Sequence, residues 1–151
     1  MTYVFRNNTI ERFLRGEYQY SGYNDFSIIP DADAYLWWYQ VPIKYNISQL
    51  ADEIILFADK LRFIASQIGN KPLNVITIEN IYVPNVIMSD IRISQAIEYF
   101  NCAAYSISQK KSNVKVIDFM DFANRYSCDE LIDWKFYYLY QMPLNPRLAN
   151  D

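Results

Sequence analysis

The chain contains no histidine in 151 residues. That single absence removes the Ser-His-Asp and Cys-His catalytic sets and every metal site built on imidazole. Glycine is also scarce, and the three present, Gly16, Gly22 and Gly69, stand alone, so no glycine-rich phosphate loop can be drawn. The two cysteines, Cys102 and Cys128, form neither a C-x-x-C pair nor a disulfide framework and are expected to be buried thiols in a reducing compartment. A dominant basic charge is missing too: 14 basic against 17 acidic side chains give a net charge of −3, which argues against nucleic acid as a partner. No apolar run approaches the ~18 residues that span a bilayer. The opening residues MTYVFRNNTIERF lack the cationic start and apolar stretch of a secretory signal, so a cytoplasmic location without a membrane partner is expected.

What is present is a core. Hydrophobic residues make up 52% and charged ones 21%, the balance of a soluble globular domain, and the length suits one domain over residues 1–151. Thr2 to Phe5 is β-prone and ends in the polar turn Arg6-Asn7-Asn8-Thr9, after which Ile10, Phe13 and Leu14 recur at helical spacing up to Gly16. Tyr18 to Tyr20 alternates like a short strand, and Tyr23 to Ile29 is a further β-prone run closed by Pro30. Ala34 to Val41 is almost continuously apolar, as a strand covered on both faces must be.

Between Ser48 and Ile68, Leu50, Ile54, Phe57, Leu61, Ile64 and Ile68 mark one face of a long helix, with Ser48 as its expected N-cap and Gly69-Asn70 followed by Pro72 as its stop. Leu73 to Ile78 reads as a strand and Glu79 to Ser89 as a loop. Ile91 to Ile107 follows as a helix, Val114 to Phe119 as a buried strand, and Phe119 to Tyr126 as a short helix. Strands alternating with helices predict a three-layer α/β/α sandwich with about five mostly parallel strands, the run Tyr35 to Val41 at its centre. Ligands of such sheets gather beyond the carboxyl ends of the strands, so the turns there hold the candidate residues.

Three polar constellations have ordinary readings. Asp31-Ala-Asp33 has the spacing with which haloacid-dehalogenase-type phosphatases hold magnesium, but Pro30 and Tyr35 break that pattern, and a polar turn is expected. Asp118 and Asp121 follow the last strand, where a magnesium pair or, more simply, a cap on the next helix would lie. Asp129, Glu130, Asp133 and Lys135 read as a solvated face. No metal and no cofactor are expected. Of the aromatic clusters, Tyr35–Tyr39 belongs to the core, whereas Trp134–Tyr140 is divided between core and a docking surface.

The segments VFRNNTIERFL, DADAYLWWYQVP and IDWKFYYLYQMPLNPRLA resemble the amino-terminal domain of FkbH-like proteins, an SGNH-hydrolase-like, flavodoxin-type domain that precedes a haloacid-dehalogenase-type domain. The resemblance implies phosphatase or glyceryl-transfer chemistry on an acyl carrier protein, housed in a domain beginning after Ala149. Mapped onto this chain, it places a ligand cleft at Asn7, Asn8, Thr9, Gly22, Gln40, Asn46, Asp133 and Lys135, with no catalytic residue assigned. Gly22 takes the position of a backbone N–H donor, and Gln40 or Asn46 that of the oxyanion-hole amide. The nucleophilic serine is replaced in Arg6-Asn7-Asn8-Thr9, and the Asp-x-x-His block retains Asp133 without its histidine. A hydroxyl without a base is a weak nucleophile, so the expectation is a non-hydrolytic accessory domain that binds a small ligand or a partner, either its own catalytic domain or an acyl carrier protein. Arg92, Lys110, Lys111 and Lys115 would serve the carrier protein if they cluster. The alternatives are a residual hydrolase or transferase using Thr9 with Asp133 and Lys135, and a dimerisation module built on the aromatic tail.

Overall fold

The computed structural model describes residues 1–7, 14, 17–41, 47–79 and 91–123. Five strands form one sheet: β1 (Thr2–Arg6), β2 (Tyr18–Tyr20), β3 (Ala34–Trp38), β4 (Leu73–Ile76) and β5 (Val114–Ile117). Their order is β2-β1-β3-β4-β5 and every pairing is parallel. Among the described residues three helices accompany them, α1 (Ile47–Gln67), α2 (Ile91–Lys110) and α3 (Phe119–Ala123). The architecture is the expected α/β/α sandwich of flavodoxin type, with β3 in the middle.

The continuous apolar run explains that position. Tyr35 and Trp37 point to one face while Leu36 and Trp38 point to the other, and all four are buried. Trp37 is the hub, with ring centroids of Phe26 at 4.4 Å, Phe100 of α2 at 5.8 Å and Phe57 of α1 at 5.9 Å. A side chain of this size removes 150–250 Å² from water, about 4–6 kcal/mol as an upper estimate. On the opposite face Trp38 lies 6.3 Å from Phe119.

Helix α1 buries Leu50, Ile54, Phe57, Leu61 and Ile64, with Ile68 buried just past its end, the set the periodicity predicted, and packs beside α2. It begins at Ile47, so Ser48 lies inside the helix instead of capping it. Its end is as expected: Gly69 takes the left-handed conformation (φ 64°) that stops a helix cheaply. Asn113 and Lys111 then satisfy carbonyls there, Nδ2 of Asn113 bonding Gly69 O at 3.1 Å and Nζ of Lys111 bonding Ala65 O.

The last strand is not the buried one expected: β5 lies at the sheet edge with Lys115 and Ile117 exposed. Two further expectations fail. Tyr23 to Ile29 is no strand: Asn24 adopts φ 58°, Asp25 Oδ1 accepts from Ser27 N at 3.3 Å and Oγ at 2.7 Å, and of this run only Phe26 enters the core fully. A left-handed residue followed by an Asx turn destroys the two-residue alternation that a strand needs. Cys102 is exposed, not buried, because the face of α2 carrying Ile97, Phe100 and Ala104 turns it outward. The expected helix over Thr9–Leu14, the loop from Asn80 on, Cys128 and the aromatic tail lie outside the described residues, Leu14 excepted, which packs on the core.

Candidate functional site

In this strand order the chain reverses direction of winding between β1 and β3, and the crevice of an open α/β sheet lies beyond the carboxyl ends of those two strands. Asn7 and Gln40 stand there, both buried. Asn7 Oδ1 accepts from Gln40 N at 3.1 Å, and its Nδ2 donates to Gln40 O at 2.5 Å. The side-chain amide thus takes the place of a peptide group and continues the β1–β3 ladder past its last strand residue.

The same device repeats across the sheet. Gln40 Nε2 donates to Thr77 O at 3.0 Å and its Oε1 accepts from Glu79 N at 3.4 Å, tying β3 to the segment after β4. Thr77 Oγ1 accepts from Phe119 N at 3.0 Å, tying that segment to the start of α3, and donates to Glu79 Oε1 at 3.1 Å. From α2, Asn101 holds Ile78 from both sides, Oδ1 to N at 2.9 Å and Nδ2 to O at 2.8 Å. Apart from the Thr77–Glu79 side-chain bond, each of these satisfies a backbone group where regular pairing has ended, which otherwise costs about 1–3 kcal/mol per buried group.

Beside this ladder, Arg6 leaves the end of β1. Its Nε donates to Ser21 O at 3.1 Å, and its guanidinium carbon lies 4.8 Å from the Tyr20 ring centre and 5.0 Å from that of Tyr23. At the other flank sits Glu79, half-buried, whose carboxyl is pushed above the usual range first by burial and then by the Asp118 charge, against the pull of the Thr77 hydroxyl.

Of the expected cleft residues, the structure brings Asn7 and Gln40 together, while Gly22 is exposed on the turn after β2, its carbonyl accepting from Asp25 N at 3.2 Å. Asn8, Thr9, Asn46, Asp133 and Lys135 lie outside the described residues. Thr77, Glu79 and Asn101 were not foreseen. A signal existed, since Thr77 interrupts an apolar strand run and Asn101 sits between Phe100 and Ala104 on the apolar side of α2.

Other polar sets are structural. Asp118 Oδ1 accepts from Met120 N at 3.0 Å and so caps α3. Asp31 and Asp33 precede β3, at the amino ends of the strands and away from the crevice. There Asp31 pairs with Lys71 and Asp33 with the amino terminus at 2.6 Å, both carboxylates highly exposed. The basic set does not cluster: Arg92 and Lys110 lie at opposite ends of α2, about 27 Å apart at 1.5 Å per residue. Among the described residues no group of three or more acidic or cysteine side chains could hold a metal, and no helix is long and apolar enough to cross a membrane.

No family model and no curated protein matches the sequence. Among solved structures, the chain is similar to the N-terminal part of the protein BF1531 from Bacteroides fragilis, which contains a phosphatase domain and was solved in complex with Mg, at 12% identity and a TM-score of 0.65. The two share a fold. The match covers 98% of this chain and 48% of that one, so this chain spans about half the length of BF1531's solved part.

Proposed function

We propose that the chain is a non-hydrolytic accessory domain of an FkbH-like biosynthetic system, and that the rim around its crevice docks a partner, a haloacid-dehalogenase-type phosphatase or transferase domain. The observation that carries this reading is the ladder from Asn7 through Gln40 to Thr77, whose amides bond backbone in the place where an SGNH-type enzyme would offer donors to an oxyanion. The shape of such a site is kept while its polar groups serve the scaffold, which favours recognition over turnover. The absence of histidine from the sequence and the fold shared with BF1531, whose solved part contains a phosphatase domain, support the same assignment. The domain needs no cofactor or metal in this role.

Two measurements test it. Calorimetric titration of the chain with a separately produced catalytic domain of an FkbH-like protein is expected to show binding, and an acyl carrier protein titrated in parallel identifies the other partner class. Short-chain p-nitrophenyl esters are expected to give no turnover above buffer. Saturable hydrolysis that disappears in Thr9→Ala would establish the residual enzyme instead, and a dimer by light scattering with no heterologous binding would establish the dimerisation module.

A further inference from the structure

The flank of the crevice opposite Glu79 carries an aromatic side chain that the ladder does not use. Arg6 closes β1, and its main chain stays in register with Trp38 of β3. The turn after β2 is tied to this one residue at three points: Arg6 N donates to Ser21 Oγ, Arg6 O accepts from Asn24 N and Arg6 Nε donates to Ser21 O, each at 3.1 Å. Asn24 takes the left-handed conformation that closes the turn. Between these ties Tyr23 lays its ring against the Arg6 guanidinium, which also lies against Tyr20. Tyr23 is nonetheless 47% exposed. Among the described residues the other exposed aromatic side chains, Phe63, Tyr99 and Tyr105, belong to α1 and α2. A ring held in this way gives up little further rotamer freedom when a partner arrives, which is what makes tyrosine effective at the centre of interfaces.

We propose that Tyr23 is the anchor of the crevice rim: an apolar side chain of the partner domain packs on its exposed ring, and Arg6 positions that ring. The inference rests on the reading of the rim as a docking surface for a haloacid-dehalogenase-type domain, and adds where that domain is gripped and by what chemistry. The contact is made by the ring, so the Tyr23 hydroxyl is dispensable to it.

Calorimetric titration of the whole chain and its variants with the catalytic domain of an FkbH-like protein tests it. Tyr23→Ala is expected to bind about 10- to 30-fold more weakly than wild type, and Tyr23→Phe to bind as wild type does. Arg6→Ala should lose part of the affinity, and Arg6→Lys, a cation that can still lie against the rings, should recover some of it. Tyr99→Ala is the control, because Tyr99 is 45% exposed and lies 5.7 Å from the Arg62 guanidinium, the same kind of pair away from the crevice; its affinity should be unchanged. Tyr23 is exposed, so its variants are expected to fold, with urea midpoints near that of wild type. A wild type that does not bind brings down the docking reading and the anchor with it. Binding by Tyr23→Ala equal to wild type overturns the anchor and leaves docking standing, whereas a loss in Tyr99→Ala alone moves the contact to α2 and overturns both. Arg6→Lys no better than Arg6→Ala overturns the positioning role.

Discussion

Asn7 and Gln40 face each other across the carboxyl ends of β1 and β3, and the side chain of the first forms two hydrogen bonds with the main chain of the second, at 2.5 and 3.1 Å. Backbone pairing of β1 with β3 ends at Arg6 and Trp38, and this amide carries it one step further.

Replacing Asn7 by Ala therefore leaves a buried N–H and a buried C=O of Gln40 unpaired. A loss of about 2–4 kcal/mol is expected, read as a lower urea midpoint at unchanged slope. Asn7→Asp keeps the acceptor but loses the donor and sets a negative charge against Gln40 O, so it should be no better than Ala at neutral pH.

Trp37 is fully buried among four aromatic rings, and its indole N–H has no hydrogen-bond partner among the described residues. Trp37→Ala is expected to cost about 3–5 kcal/mol. Trp37→Phe removes the unpaired N–H along with some volume and should cost clearly less, a comparison that thermal unfolding resolves.

Glu53 on α1 accepts from the Tyr39 hydroxyl at 2.8 Å, yet burial holds its carboxyl above the usual range. The folded state thus binds this proton more tightly than the unfolded chain. Its contribution favours folding below the unfolded value and is lost as pH rises through the folded one. Glu53→Gln, which can still accept from Tyr39, should be more stable than wild type at pH 7.5, with the difference vanishing below about pH 4; melting curves across that range decide it.

Gly69 has open space where a Cβ would go, so Gly69→Ala should cost only the backbone penalty of its positive φ. That is about 1–2 kcal/mol, and Gly69→Asn should recover part of it. An Ala variant as stable as wild type would mean that the helix end reorganises.

The fold was legible because its signals are periodic: the unbroken run Ala34–Val41 could only be a doubly covered strand, and Leu50 through Ile68 could only be one helix face. Asn7 and Gln40 were legible as residues following strands. What they do there was not, because an amide that binds a ligand and one that binds the neighbouring strand look the same in sequence. Thr77 and Asn101 stayed hidden for a related reason, since each accepts from a backbone N–H 42 or 23 residues away, and Glu79 because its own N–H meets the Gln40 side chain 39 residues away. The irregular course of Tyr23–Ile29 escaped because one left-handed residue, Asn24, outweighs the β preference of its neighbours.

The uniformly parallel sheet also governs how the molecule is made. No strand can zip to its neighbour through a tight turn, and even the nearest pair, Thr2 with Tyr18, is separated by a complete crossover. As the chain leaves the ribosome, β1 waits for β2 on one side and for β3 on the other, and β3 in turn waits for Leu73 to emerge beyond α1. Helices can form on the way while the sheet cannot, so assembly is late, slow relative to a hairpin protein of equal size, and dependent on keeping Phe5 and Trp37 from foreign contacts until Phe57 and Phe100 arrive.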